Sequence, residues 1–344
     1  LHDAMADIQR FLIGGSLSDD HPLADFLQLK INDKRGLRPD GTFRFTGRDW
    51  IFDEVRAWLN DQQGEHTFLL TGGAGIGKSA FMAELVDSET RGLAERVAAV
   101  HFCDAGEADT LKVETLVWGL VVSFSENVAG FKDALLLGGA DGGVGGGGDT
   151  CETLQEGKKA KADKSWPYLL RNVVLPALKS VPEPERGPLI VCLDSLDEAL
   201  LTGADASKSI VALMFSADTT TRWPSWLRIL VTSRDDPKVL AQLKNCKRVD
   251  LTIEGNPERN MADLKNYVEG RILHEMVQPS GKLALDALAI AHAVGWGDAV
   301  SPMGEYVNAI CAQSDGMFLY AKLVIDELEA GGGLPVSVAA LNAV

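Results

Sequence analysis

FLLTGGAGIGKSAFMAEL, residues Phe68 to Leu85, runs from a short apolar segment through a cluster of glycines into a helical pattern. An apolar run closed by glycines is typical of a strand buried in a parallel sheet. A turn between such a strand and a helix places main-chain N–H groups at the helix N-terminus, where anions are stabilised. The stretch therefore predicts an anion-binding turn between a buried strand and a helix.

The turn fits the pattern G-x-x-x-x-G-K-[ST] through Gly72, Gly77, Lys78 and Ser79. Glycines let main-chain N–H groups curl around phosphates, the lysine reaches the β and γ oxygens, and the hydroxyl binds Mg²⁺. Chance alone would produce the pattern in a chain of this length and glycine content about one or two times in a hundred. We therefore predict a phosphate-binding loop (P-loop), whose cofactor-binding residues are Gly72, Gly73, Ala74, Gly75, Ile76, Gly77, Lys78, Ser79 and Ala80.

A second apolar run ends in a carboxylate. Leu189 to Leu193 are all apolar, and Asp194 follows where that strand would leave the carboxyl edge of the sheet, at which ligands of open α/β sheets bind. The Mg²⁺ of a bound nucleotide needs such a carboxylate, which we expect at the tip of a strand neighbouring the P-loop strand. We predict Ser79 and Asp194 as the metal residues, with a helix N-cap as the alternative for Asp194.

The two acids that follow are candidates for hydrolysis. Asp197 and Glu198 come three and four residues after Asp194, which suits a group that orients water towards the γ-phosphorus. We favour Asp197. The alternative is that acids in a first helical turn interact with the helix dipole, which fits at least one of the two.

LRILVTSRDDP has the same pattern as the preceding strand: an apolar run from Leu227 to Val231 is followed by Thr232, Ser233 and Arg234 at the strand tip. A guanidinium there could contact the γ-phosphate and report its presence. The alternative is a salt bridge to Asp235 or Asp236. The predicted catalytic set is Lys78, Asp197, Glu198 and Arg234.

Strand-like and helical segments alternate along the middle of the chain. RVAAVHFC, GPLIVCLDS, LRILVTSR and KRVDLTI resemble strands, whereas KVETLVWGLVVSF and SWPYLLRNVVLPALKSV are helical, the latter with a kink or break at Pro176. This alternation predicts an α/β fold with an open parallel sheet and helices on both faces. From about Asn256 onward, apolar residues recur only at helical spacing, which predicts an all-helical unit.

Three regions follow from these patterns. Residues 1–44 are a polar lead-in with a helix candidate at Met5 to Ile13, residues 45–255 form the core, and residues 256–344 form the helical unit. Within the core, residues 138–164 are rich in glycine and then lysine and lack apolar periodicity, so we expect a flexible surface insertion. A phosphate nest is the less favoured alternative, because no strand precedes these glycines.

The composition excludes several classes. A net charge of −16 argues against a chain that coats nucleic acid or an anionic membrane. The five scattered cysteines favour neither a disulfide framework nor a zinc site, and no apolar run approaches the ~20 residues that cross a bilayer. We expect a soluble, cytoplasmic chain. Since it begins with Leu1, we take it as an excerpt of a longer protein.

In order, FTGRDWIFDEV, GGAGIGKS, VHFCDAGEADT, LDSLDEA, ILVTSR and DGMFLYAKLVIDELEAGGGLP resemble the blocks of NACHT-type STAND ATPases, from Phe45 to about Pro335. The branch with the greatest similarity contains TANC-like and nephrocystin-like scaffold proteins with ankyrin or TPR repeats. The resemblance implies a RecA/AAA+-like core, a helical subdomain and a winged helix, here truncated. It also implies a slow switch in which ATP promotes assembly and ADP holds a closed form.

By the same resemblance, Arg48 would lie near the base or ribose, and Arg234 would be the sensor arginine. Gly316 to Tyr320, GMFLY, stand where many relatives have a Gly-x-Pro that packs on the nucleotide, but the proline is absent here. Protein partners would bind repeats outside this chain, and nucleotide-dependent homo-oligomers would be expected.

Three functions fit these predictions. The first is an ATPase switch that binds ATP or ADP with Mg²⁺ and hydrolyses slowly. The second is a nucleotide-binding scaffold without hydrolysis. The third is a P-loop kinase for a small molecule, which is disfavoured because nothing in the sequence resembles a lid or an acceptor site.

Overall fold

The computed structural model describes residue 31 and residues 45–87, 92–137, 166–200, 209–252, 255–276 and 302–330. These residues contain a five-stranded sheet of order β2-β3-β4-β1-β5, in which every pair is parallel. The strands are β1 Thr67–Thr71, β2 Val97–Phe102, β3 Leu189–Asp194, β4 Leu227–Ser233 and β5 Lys247–Asp250. The predicted parallel sheet is confirmed.

The expectation that the strand ending in Asp194 lies next to the P-loop strand is wrong. β3, which ends in Asp194, does not pair with the P-loop strand β1, because β4 lies between them and pairs with both. β2 and β3 follow β1 in the sequence but lie further from it in the sheet, and β4 occupies the position between β1 and β3. Because all strands are parallel, their carboxyl ends still share one edge, and α2, which follows β1, contacts both β3 and β4.

Helices separate the strands. They are α1 Asp49–Asn60, α2 Lys78–Asp87, α3 Val113–Asn127, α4 Phe131–Leu137, α5 Trp166–Leu169, α6 Leu175–Ser180, α7 Ile210–Phe215, α8 Ala217–Thr220 and α9 Pro237–Gln242. Short 3-10 helices cover Ala94–Arg96, Ala108–Leu111 and Glu198–Leu200.

Instead of the break predicted as one possibility at Pro176, the structure has a π-helical segment, Leu170–Val174, that joins α5 to α6. Pro176 has no N–H, and its ring crowds the carbonyl four residues earlier. The main-chain N–H of Leu175 donates instead to the carbonyl of Leu170, five residues back. The helix therefore continues through the proline with one wide turn.

Successive side chains along each strand point to opposite faces of the sheet and belong to two core layers, as expected for a sheet covered on both faces. One layer, which packs against α3 to α7, contains Leu69, Val191, Leu193, Ile229 and Val231. The other, which packs against α1 and α2, contains Phe68, Leu70, Ile190, Cys192 and Leu230. Helices on both faces are thus confirmed, and they hold the strand tips in a fixed arrangement.

The described part of the chain beyond β5 contains helices only: α10 Pro257–Met276, α11 Pro302–Ser314 and α12 Phe318–Ala330. They bury their own core, around Leu264, Val268, Ile310 and Ile325. None of the described helices has the length and apolar composition to cross a membrane. The four described cysteines, Cys103, Cys192, Cys246 and Cys311, are free thiols.

Several predicted segments lie outside the described residues. They are the lead-in except Ile31, which is buried beside α1 and α2, the insertion at 138–164, and the region after residue 330. The division at residue 255 stays a prediction.

Candidate functional site

The predicted P-loop connects β1 to α2 at the carboxyl edge of the sheet. Gly75 and Gly77 have φ angles of 72° and 96°, which strain any residue with a side chain. Because α2 begins at Lys78, the main-chain N–H groups of the loop lie at the N-terminus of a ten-residue helix. The loop can therefore bind an anion through the main chain and the helix dipole.

Lys78 holds its ammonium group against the loop. Its Nζ donates to the carbonyls of Gly72 at 2.7 Å and Gly73 at 2.8 Å, and the residue is 8% exposed. Burial lowers the pKa of Lys78, and the carboxylates of Asp197 and Asp194 partly offset that effect. Phosphate oxygens could replace the two carbonyls, because an anion is a stronger acceptor.

Asp194 ends β3 and is fully buried. Its Oδ1 accepts the Thr232 hydroxyl at 2.6 Å, and its Oδ2 accepts the Ser195 hydroxyl at 3.1 Å. Ser195 Oγ lies 3.3 Å from Ser79 Oγ. The two predicted metal residues therefore lie at one edge, although Ser195 connects them rather than a direct contact.

Asp197 is bound to the end of β4. Its Oδ1 accepts the main-chain N–H of Arg234 at 2.9 Å and the Ser233 hydroxyl at 3.3 Å. Its Oδ2 lies 3.4 Å from Arg234 Nε. Glu198, which begins a 3-10 helix, accepts the Ala105 N–H at 2.7 Å and lies 3.7 Å from Arg234 Nη2.

Arg234 does not use the partners proposed as its alternative. Asp235 pairs with Arg248 at 2.9 Å, whereas Asp236 accepts the N–H groups of Lys238 and Val239 and caps α9. The Arg234 side chain is 56% exposed, so its pairs with Asp197 and Glu198 are weak. Its guanidinium can exchange them for an anionic ligand.

These side chains face one cavity of about 520 Å³. One side of its wall includes Ser195, Asp197, Glu198 and Arg234. The P-loop contributes Ala74, Gly75, Gly77, Lys78, Ser79 and Ala80 to the same side, whereas the predicted residues Gly72, Gly73 and Ile76 do not line the cavity. The remainder is lined by Phe318 and Leu319 of the GMFLY block and by residues that the sequence analysis did not assign: Phe45, Thr46, Tyr267 and Lys322. Asp194 is not part of the wall that the described residues form.

Arg48 lies between the P-loop and the helical unit. Its Nη2 donates to the carbonyl of Ile76 at 2.8 Å, its Nη1 donates to Asn260 Oδ1, and its Cζ lies 4.7 Å from the centre of the Phe318 ring. Its main-chain N–H donates to Asp263 Oδ1 at 3.1 Å. Burial lowers the pKa of Arg48 to about 10, partly offset by Asp263. Arg48, which by the resemblance would lie near the base or ribose, also lines the cavity.

The block GMFLY contacts the P-loop directly. The main-chain N–H of Leu319 donates to the carbonyl of Gly75 at 3.0 Å. A Cβ atom on Gly75 would lie 2.9 Å from Leu319 Cβ. The first turn of α12 therefore packs on the loop that would hold the phosphates.

The oxygen atoms at this edge fit Mg²⁺ bound together with a nucleotide. The described residues contain no group of three or more His, Cys, Asp or Glu that could hold a metal by itself. Mg²⁺ beside phosphates commonly takes only one or two protein ligands, with phosphate oxygens and waters as the others. The hydroxyls of Ser79 and Ser195, with Asp194 behind them, suit that arrangement.

Comparison with known proteins gives a family and a number of structural neighbours. One neighbour, described as "Structure of C. elegans PCH-2", is 12% identical with a TM-score of 0.40, over 88% of this chain and 68% of that chain. The sequence model of the family described as nephrocystin 3, N-terminal, matches residues 46–234, from the segment before α1 to Arg234. Since this match covers more than half of the chain, the chain belongs to the nephrocystin 3 N-terminal family.

Proposed function

We propose that this chain is a NACHT-type STAND module that binds ATP with Mg²⁺ and hydrolyses it slowly, as a switch within a larger protein. The observation that carries the proposal is the arrangement at the carboxyl edge. A glycine-rich loop with Lys78 opens α2, and the tips of β3 and β4 bring Asp197 and Arg234 to the same cavity. Membership of the nephrocystin 3 N-terminal family agrees with the nephrocystin-like branch of that class.

The chain binds the triphosphate mainly through the P-loop. The N–H groups of the loop and the α2 dipole attract the phosphates, and Lys78 Nζ exchanges two carbonyls for phosphate oxygens. Arg234, which is 56% exposed, turns from Asp197 towards the γ-phosphate. Mg²⁺, when bound, neutralises part of the charge on the β- and γ-phosphates. Ser79 and Asp194 belong to its site.

The opposite part of the cavity suits a base. Phe45, Tyr267 and Phe318 supply aromatic surface, and Arg48 closes the wall between the P-loop and α10. Stacking on aromatic rings favours a planar heterocycle over an aliphatic group. ATP and ADP both present such a base, so the pocket can hold either state of the switch.

Direct binding tests the proposal. Lys78→Ala should weaken binding of labelled ATP with Mg²⁺ by at least about tenfold, because a charge-assisted hydrogen bond contributes about 1.5–3 kcal/mol. Lys244→Ala is the matched control, since Lys244 is exposed and does not line the cavity. Equal affinity of wild type and Lys78→Ala would end this interpretation.

A non-hydrolysing scaffold is the second candidate, and the environment of Asp197 favours it. Both of its carboxylate oxygens are engaged, one by the Arg234 N–H and the other by the guanidinium. A water molecule must compete for Asp197 with the Arg234 N–H and, unless the guanidinium has turned to the γ-phosphate, with the guanidinium as well, so turnover is slow or absent. A switch should lose phosphate release about 10²-fold or more in Asp197→Asn/Glu198→Gln while ATP binding persists. No phosphate release by wild type favours the scaffold.

The resemblance also supports proposals about context. The division into a core at 45–255 and a helical unit at 256–344 would let nucleotide binding move one unit against the other. Protein partners bound to flanking repeats, nucleotide-dependent homo-oligomers and a cytoplasmic location belong to the same proposal. Light scattering of the complete protein with ATP and with ADP tests the oligomers.

A further inference from the structure

We propose that Ser195 presents its hydroxyl oxygen to the Mg²⁺ of a bound nucleotide, and that buried Asp194 acts on the metal through this hydroxyl. The inference rests on the proposed nucleotide binding and deepens it. In the sequence, Asp194 is the apparent metal ligand at the tip of β3. In the structure, Ser195 rather than Asp194 reaches the cavity.

Exposure separates the two residues. Asp194 has no exposed surface, whereas Ser195 and Ser79 both line the cavity. A cation among the phosphates would first meet these two hydroxyls. Asp194 could reach it only if β3 shifted or if Ser195 mediated the contact.

A hydrogen bond orients the Ser195 hydroxyl so that its oxygen, and not its proton, can face a cation. Its O–H donates to Asp194 Oδ2 at 3.1 Å, which orients the proton towards the carboxylate. The Ser79 hydroxyl, 3.3 Å away, then donates to one lone pair of Ser195 Oγ, the second lone pair can face a cation, and the carboxylate makes the oxygen more basic. A buried carboxylate that orients a ligand in this way is a common feature of metal sites.

The spacing of the two hydroxyls suits one ion. Neighbouring ligands around an octahedral Mg²⁺ with 2.0–2.1 Å bonds lie roughly 2.9 Å apart. Ser79 Oγ and Ser195 Oγ are 3.3 Å apart, so a shift of a few tenths of an ångström would bring both to the same ion.

The backbone fixes this position. Ser195 has a φ of 53°, a left-handed conformation that is strained for a non-glycine residue. Its N–H donates to Thr232 Oγ1 at 2.9 Å, and that hydroxyl donates to Asp194 Oδ1 at 2.6 Å. Thr232 therefore holds both Asp194 and Ser195, and the strained turn aims the Ser195 hydroxyl at Ser79.

The first experiment titrates Mg²⁺ and measures ATP affinity by equilibrium binding, for wild type and Ser195→Gly. Glycine relieves the backbone strain, which offsets the hydrogen bond that buried Asp194 loses with the hydroxyl, so the variant should fold with a melting temperature close to that of wild type. We expect the Mg²⁺ concentration for half-maximal enhancement of ATP binding to rise by about tenfold, with ATP affinity in EDTA unchanged.

The second experiment changes the metal. Ser195→Cys replaces the oxygen by sulfur, which prefers softer cations. The ratio of ATP affinity with Cd²⁺ to that with Mg²⁺ should rise at least about tenfold over wild type. A merely structural Ser195 would leave that ratio unchanged, and the wild type controls for Cd²⁺ bound by other cysteines.

The outcomes separate this inference from the proposed function. An unchanged Mg²⁺ midpoint in Ser195→Gly, or an unchanged metal ratio in Ser195→Cys, overturns the role of Ser195 while ATP binding stands. If wild type binds no ATP under any condition, the proposed function and this inference both fail.

Discussion

Arg48 carries a positive charge that is almost withdrawn from water, with 2% of its surface exposed. A charge at such a site is tolerated only if polar groups replace its hydration. Here the Ile76 carbonyl, the Asn260 side chain and the Asp263 carboxylate, at 3.7 Å from Nη1, do so. The packing of α10 and α12 against the P-loop therefore depends on this residue.

Arg48→Ala should lower the free energy of unfolding by about 3 kcal/mol, because removal of one partner leaves Asp263 and Asn260 buried without their cation. Urea unfolding measures the loss. Arg56→Ala is the control, since Arg56 and its partner Asp53 are 41% and 73% exposed and should contribute less than about 1 kcal/mol. Similar losses in the two variants would show that the buried contacts of Arg48 carry little energy.

At the scale of elements, β2 and the 3-10 helix Ala108–Leu111 are connected by a buried histidine. His101 Nε2 lies 2.7 Å from the carbonyl of Thr110, so the neutral ring donates this hydrogen bond. Burial lowers the pKa of His101 from 6.5 to about 4. The same loop supplies the Ala105 N–H that holds Glu198, so His101 also supports the cavity from behind.

This pKa shift predicts a pH dependence of stability. Between pH 6.5 and about 4 the unfolded chain binds a proton that folded His101 does not, so stability falls as the pH decreases through this window. From pH 7 to pH 5 wild type should lose about 2 kcal/mol more than His101→Gln, which keeps a donor for Thr110. Urea unfolding at both pH values measures the difference. Equal losses would mean that His101 is protonated in the folded chain.

The elements that the sequence predicted best are those that a short stretch of residues determines. Apolar runs gave the strands, and glycines before Lys78 gave the loop, because strand burial and positive φ angles are dictated by the residues themselves. The insertion of β4 between β1 and β3 was missed, since strand order depends on pairing between distant segments. Ser195 had an available signal, a hydroxyl directly after the strand-end Asp194.

At the scale of the whole molecule, the cavity is lined both by residues at the carboxyl edge of the sheet and by residues of helices beyond β5. The wall contributed by Tyr267, Phe318 and Lys322 comes from α10 and α12, some 190 to 250 residues after the P-loop. No local pattern in the sequence pairs residues so far apart. Because α12 also bonds to Gly75, a ligand that moves the loop must also move the helical unit or break that contact.

Gly75→Ala should weaken the contact between the P-loop and α12, because its Cβ would meet Leu319 Cβ at 2.9 Å and its φ of 72° is strained for alanine. We expect a lower melting temperature and faster amide hydrogen exchange across the first turn of α12, from Leu319 to Lys322. Gly77→Ala is the matched control, since its φ of 96° imposes similar strain with nothing within 4 Å of the added atom. Gly73→Ala introduces neither the close contact nor the strained φ, so it should match wild type in melting temperature and in hydrogen exchange. If Gly75→Ala and Gly77→Ala raise exchange in α12 equally, backbone strain alone accounts for the effect, and the contact with Leu319 does not couple the P-loop to the helical unit.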